Sequence, residues 1–178
     1  MPDSGMDSNE AGENFLKDET YVPSSRETFT VFQAVLQNWA RLSADYIGFP
    51  VEGPSVMSLE RSVHLSGTFQ GFFVVRAHRK FAKLLLEKTA VHAVVPSSGE
   101  EAFDQLAEKF SAEMVKSYWN PWDFKPFLIN PCNPRFWPGR APASACALLV
   151  ERYPIEIRLW IETGFSPSAA AAAGEETA

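Results

Sequence analysis

With 178 residues, 46% of them hydrophobic and 13% aromatic, the chain has enough apolar side chain to bury one ordinary core without a metal or disulfide staple. No apolar run approaches the roughly 20 residues of a membrane span, and Met1 to Glu13 is acidic and small where a secretory signal needs a basic start and an apolar stretch; the expectation is a soluble, cytoplasmic domain. A formal charge of −6 and a pI near 5.1 argue against nucleic acid as a partner, because that affinity comes largely from basic residues displacing counterions.

Residues 1–26 mix acids, Ser, Gly and Asn with few large apolar side chains, a composition that cannot offset the entropy of ordering by burial. They read as a disordered tail. Ser24 and Glu27 have capping-box spacing, and Phe32, Val35, Leu36, Trp39, Leu42 and Tyr46 follow at helical intervals, predicting a helix that stops at Gly48 and Pro50. After Gly53-Pro54 the period changes to two. Val63, Leu65, Gly67 and Phe69 alternate with polar residues, and a turn near Gln70-Gly71 feeds the apolar run from Phe72 to Val75, the pattern of a β-hairpin. Phe81, Leu84 and Leu85 predict a short helix from about Arg79.

Ser98 and Glu101 repeat the capping-box spacing and open a helix whose buried stripe is Phe103, Leu106, Ala107, Phe110 and Met114. Asp104, Glu108 and Ser111 lie four and three apart on a neighbouring line that reads as more exposed. Residues 120–139 are rich in proline and predict an irregular arm without regular structure. Trp119, Trp122, Phe136 and Trp137 read either as that arm tucked against the sheet or as a partner-binding patch. Two strands follow, Ser144 to Val150 and Ile155 to Ile161, with Tyr153-Pro154 as the turn between them. The order helix, hairpin, two helices, strands is that of an α+β domain, an antiparallel or mixed sheet packed against helices. It spans 27–163 and is followed by a disordered, Ala-rich tail, 164–178.

Familiar catalytic signatures are missing from the sequence: no phosphate loop, no nucleophile elbow, no H-E-x-x-H and no dinucleotide fingerprint. His64, His78 and His92 have no Cys or acidic neighbours at metal spacing and read as strand-face or loop histidines, so no metal and no cofactor is expected. Cys132 and Cys146 are too few for a disulfide framework and read as reduced thiols.

One combination does suggest a function: the glycine-bracketed hairpin Gly67-Thr-Phe-Gln-Gly71 with Phe72 to Val75, then Ala82-Lys-Leu-Leu85, then Asp104, Glu108 and Ser111 on the next helix. Taken together this resembles the CheX/CheC family of chemotaxis phosphatases, and is closer to the single-motif CheX form. The resemblance covers roughly residues 30 to 163. It implies a partner, the phosphorylated receiver domain of a CheY-type response regulator, and a homodimer formed through the sheet. Any Mg²⁺ would belong to the regulator. In the family a Glu contacts the regulator's active-site lysine, and an Asn three residues on positions the water that attacks the phosphoryl-aspartate, chemistry that needs positioning more than covalent help. Glu108 matches that Glu, but Ser111 stands where the Asn would be, and Val115 where the family has a glycine.

The resemblance therefore implies Glu108 and Ser111 as the catalytic pair and Asp104, Glu108, Ser111 and Val115 as the partner-binding set. A serine is shorter than Asn by a carboxamide, a shortfall that can cost on the order of a hundredfold in rate. Three readings remain: a weak aspartyl-phosphate phosphatase, a non-catalytic interaction module of the same fold that binds a receiver domain or another signalling partner, and a sensor or scaffold that uses the aromatic arm on a different partner. Without the resemblance, Glu108 and Ser111 would be an ordinary solvated helix face.

Overall fold

Helix α1 (Ser25–Ala40) starts on a complete capping box: the Ser24 hydroxyl accepts from the Glu27 N–H at 3.1 Å, and the Glu27 carboxylate accepts from the Ser24 N–H at 3.1 Å. It ends at Arg41, which adopts the left-handed conformation (φ 55°). The computed structural model describes residues 20–50, 57–67, 69–92, 94–119, 128–132 (backbone) and 141–162. The rest of the fold is β1 (Ala44–Gly48), β2 (Leu59–Ser66), β3 (Gln70–Ala77), α2 (Arg79–Thr89), α3 (Gly99–Met114) with a π-helical turn at Val115–Trp119, β4 (Leu128–Cys132), β5 (Ser144–Val150) and β6 (Tyr153–Glu162).

The six strands form one sheet in the order β1-β5-β6-β3-β2-β4, and each neighbouring pair is antiparallel. Strand alternation sends Leu59, Val63, Leu65, Phe73, Val75, Cys146, Leu148, Ile155, Ile157 and Leu159 to one face, where α1, α2 and α3 cover them. At the centre Phe110 of α3 meets Phe32 of α1 and Phe73 of β3 edge to face, with centroids 5.2 and 5.0 Å apart. Gly71 is required where β3 passes β6, because a Cβ there would come within 2.8 Å of the Trp160 carbonyl oxygen. Gly99 plays the same part between α2 and α3, against the Ala82 backbone.

The α+β architecture is the one the sequence predicts, with several local corrections. The first helix ends at Ala40 instead of Gly48: the left-handed turn at Arg41 lets Ala44–Gly48 pair with β5, and Tyr46 is a strand residue. Residues 21–26 belong to the fold, since Tyr21 donates to Glu27 and its carbonyl accepts from the Trp119 indole at 2.8 Å. The hairpin turns at Gly67–Phe69, three residues early, because the full β2–β3 register runs from Leu59↔Ala77 to Ser66↔Gln70.

Glu151, at φ 57°, makes the β5–β6 turn, which leaves Tyr153 and Pro154 in the strand. The proline-rich arm contains a strand, β4, which tolerates Pro131 because an edge strand needs only one side of its ladder. The final strands are internal, so the edges among the described strands are β1 and β4. The expected tails, apart from residues 20–26, and Trp122, Phe136 and Trp137 lie outside the described residues.

Candidate functional site

Helix α3 carries Asp104, Glu108 and Ser111, and the π-helical turn that continues it carries Val115. Its start is fixed by Ser98, whose hydroxyl accepts from the Glu101 N–H at 3.1 Å; the Glu101 carboxylate turns instead to Ser97, accepting from its hydroxyl and, at 2.6 Å, from its N–H. Those two bonds hold the Glu101 carboxyl below the usual carboxylate range.

Burial along α3 follows pairs: Ala102 and Phe103, Leu106 and Ala107, Phe110 and Ser111, Met114 and Val115. The helix lies in a trough between the sheet and its neighbours α1 and α2, so a double-width stripe is covered. The predicted polar row is therefore split. Ser111 is 0% exposed and its hydroxyl donates to the Ala107 carbonyl at 2.8 Å. Val115 is also buried. Glu108, by contrast, is exposed, one turn from Asp104 on the solvent side.

Asp104 is engaged by Arg61 of β2, which also reaches Glu100 at 3.6 Å. Arg61 shares the inward parity of Leu59, Val63 and Leu65, so its guanidinium emerges at the margin of the helical layer and pins the first turns of α3 to the sheet. An arginine on an otherwise apolar strand face calls for an acid above it. That was the signal in the sequence for this pair.

Around Glu108 the structure assembles residues with no sequence signature. A pocket of about 370 Å³ is lined by Trp39, His92, Val94, Gln105, Glu108 and Lys109. The Trp39 and His92 rings stack at 6.4 Å with 11° between planes, the His92 Nε2 sits on the Trp39 carbonyl, and the Lys109 ammonium lies 5.6 Å from the Trp39 ring centroid. Beside it the loop after α2 exposes Val91, Val94 and Val95 at 84%, 77% and 49%. A second groove of about 450 Å³ continues along α1 and α3, sharing Trp39 and Lys109.

This arrangement offers one free carboxylate beside an aromatic platform and exposed valines, a surface suited to contact with another protein. It does not bring the Ser111 hydroxyl to the surface beside Glu108. Among the described residues, no three His, Cys, Asp or Glu side chains come together as metal ligands. No helix there is long and apolar enough to cross a membrane.

The chain superposes on the chemotaxis protein CheX from Desulfovibrio desulfuricans with a TM-score of 0.55 at 10% identity, covering 78% of this chain and 98% of that one. CheX from Vibrio vulnificus gives a TM-score of 0.51 at 9% identity over 76% of this chain and 96% of that one. A chemotactic CheC-like protein from Shewanella oneidensis MR-1 gives 0.50 at 8%, over 76% and 95%. No family model matches the sequence, and neither does any curated protein. At this identity the likeness is one of fold: a CheX-like α+β domain.

Proposed function

We propose that this protein is a CheX-like signalling module that docks a CheY-type receiver domain on its α1–α3 face and does not itself hydrolyse the phosphoryl-aspartate. The observation that carries the reading is the separation of Glu108 from Ser111. Glu108 projects at the rim of a platform built by Trp39, His92 and Lys109, while the Ser111 hydroxyl is buried and spent on the Ala107 carbonyl. In-line attack needs a water held at the surface beside the anchoring acid, and a side chain inside the helix contact holds none there. Asp104 acts through Arg61 as a brace for α3, and Val115 supports the docking face from beneath.

The test is binding and phosphate release measured together on a phosphorylated CheY-type receiver domain. The expected result is a complex weakened about 10-fold or more by Glu108→Ala, with phosphate release at the receiver's own rate for the wild type and for Ser111→Asn. Accelerated release that Glu108→Ala abolishes would restore the phosphatase reading, and absence of any complex would end the docking one. The same reading includes a homodimer through a sheet edge, β1 or β4; light scattering that gives the monomer mass across the micromolar range removes it.

A further inference from the structure

The solvent side of α1 lacks the charge that an open helix face ordinarily carries. From Thr28 to Ala40 there is no Asp, Glu, Lys or Arg, in a chain that is 21% charged, and Thr30, Ala34, Gln37 and Asn38 are exposed there. Charge depletion of this kind marks the centre of a protein interface. Helix α3 runs beside it in the opposite direction, since Tyr118 stacks on Tyr21 just before α1 and Lys109 lies over Trp39 near its end. The groove of about 450 Å³ between them has one wall from Thr30 to Asn38 and the other from Lys109 to Ser117. Each wall is about 12 Å long, two turns of a helix.

The charge along this face is all on α3. Glu108, Lys109, Glu113 and Lys116 are exposed, and none of them forms an ion pair among the described residues. Spacings of four and three would let Lys109 or Lys116 reach Glu113 along the helix. Neither does, and Lys109 lies over the Trp39 ring instead.

The order of these charges is its own complement. Ala112, small and exposed, stands midway between Glu108 and Lys116 and one position past the midpoint of Lys109 and Glu113. Turning a second copy of α3 end for end about a two-fold axis beside Ala112 sets Glu108 of one copy against Lys116 of the other, and Lys109 against Glu113. Symmetry forms each pair twice. A parallel, in-register placement would set like charges together instead, so the sequence of signs selects the antiparallel one.

We propose that the α1–α3 groove receives a second copy of this chain, with α3 lying antiparallel on α3, the uncharged side of α1 against the flank of the partner, and the Glu108–Lys116 and Lys109–Glu113 pairs fixing the register. No strand takes part, so this contact is distinct from pairing through a sheet edge. Glu108 and Lys109 also rim the docking platform. A self-associated chain therefore withholds them from a receiver domain, and this consequence alone rests on the docking reading.

Sedimentation equilibrium on the full chain across the micromolar range tests the contact. The expected result is a self-association that weakens with added salt. Lys109→Glu and Glu113→Lys should each weaken it at least tenfold by opposing like charges, and the two together should restore it to within about threefold. Glu108→Lys and Lys116→Glu, singly and together, repeat the cycle on the other pair, with far-UV circular dichroism confirming that each variant is folded.

A monomer mass throughout overturns the proposal. So does self-association indifferent to every charge reversal, which assigns it to a sheet edge, and so does a loss that neither exchange rescues. The consequence for docking is read separately, from the apparent affinity of a phosphorylated CheY-type receiver domain for the wild type below and above the concentration at which it self-associates. Weaker binding above that concentration is expected. Equal binding at both overturns the exclusion and leaves the self-association standing, whereas no binding at either ends the docking reading alone.

Discussion

Phe73 and Val74 are neighbours on β3 and both are buried, yet they serve two different interiors. Phe73 points to the helices and enters a close aromatic cluster with Phe110, Phe32 and Trp119. Val74 points to the opposite face, into a checkerboard of ion pairs in which Arg76 bonds Glu60 at 3.1 Å and shares Glu156 with Arg158 at 3.7 Å each. The helical side is apolar and buried, so shape decides its energetics. The outer side mixes charge with apolar side chains, so desolvation and pairing decide there.

The sharpest way to break this comparison is paired truncation on β3. Phe73→Ala should cost about 3–5 kcal/mol, enough to threaten folding, whereas Val74→Ala should cost about 1–2 kcal/mol; equal losses in denaturant titrations would mean that the two interiors are alike. Next in size, Ser111→Asn forces extra volume into the contact between α3 and its neighbours and should destabilise by about 1–3 kcal/mol. Ser111→Ala gives up only a local bond to the preceding turn and should stay within about 1 kcal/mol. If Ser111→Asn is neutral in thermal unfolding, the side chain has found its way to the surface and the packing described here is wrong. Removing the Arg61 clamp by Asp104→Ala should cost about 1 kcal/mol or less, because the pair is partly exposed.

The smallest effect separates the two regions by pH. The Glu27 carboxyl at the start of α1 is held below its ordinary 4.5, chiefly by the hydrogen bond from the Tyr21 hydroxyl. Its contribution is present above 4.5 and lost as pH falls through the lowered value. Glu60, on the outer face, is shifted the other way, raised above 4.5 by burial against the pull of Arg76 and Arg158. Its contribution is present below 4.5 and lost as pH rises through the raised value. Glu27→Gln should therefore flatten the acid limb of a stability–pH profile, and Glu60→Gln should remove a loss on the limb above it; a profile left unchanged by both substitutions contradicts these environments.

The fold was largely legible. The capping box of α1 forms complete, Ser98 caps α3 through its hydroxyl while Glu101 bonds Ser97, and the strand β2 and the helix α3 form where their periods predict, because each records a local preference that packing reinforces. What escaped was set by distant partners. Ala44–Gly48 continues the apolar spacing of α1 and becomes a strand only because β5 lies beside it, and β4 hides in a proline-rich stretch because β2 supplies its ladder.

At the site, Glu108 was read as exposed and is. Ser111 was judged by its hydroxyl, although its spacing from Ala107 and Met114 places it on the buried stripe; a serine that bonds its own helix backbone packs as a small residue. The Trp39–His92 platform joins residues from α1 and the loop after α2, and no spacing rule in one dimension announces it.

The pairing of β1 with β5 also governs how the chain must assemble. Ala44 and Val150 are register partners although about 100 residues separate them in sequence. Everything from α1 to β4 is synthesised before that edge of the sheet can close, and the β1 segment waits with its backbone groups unpaired. Loop-closure entropy of this length is met before the contacts that offset it exist, so the closing of this edge is a costlier step than the forming of the local β2–β3 and β5–β6 hairpins.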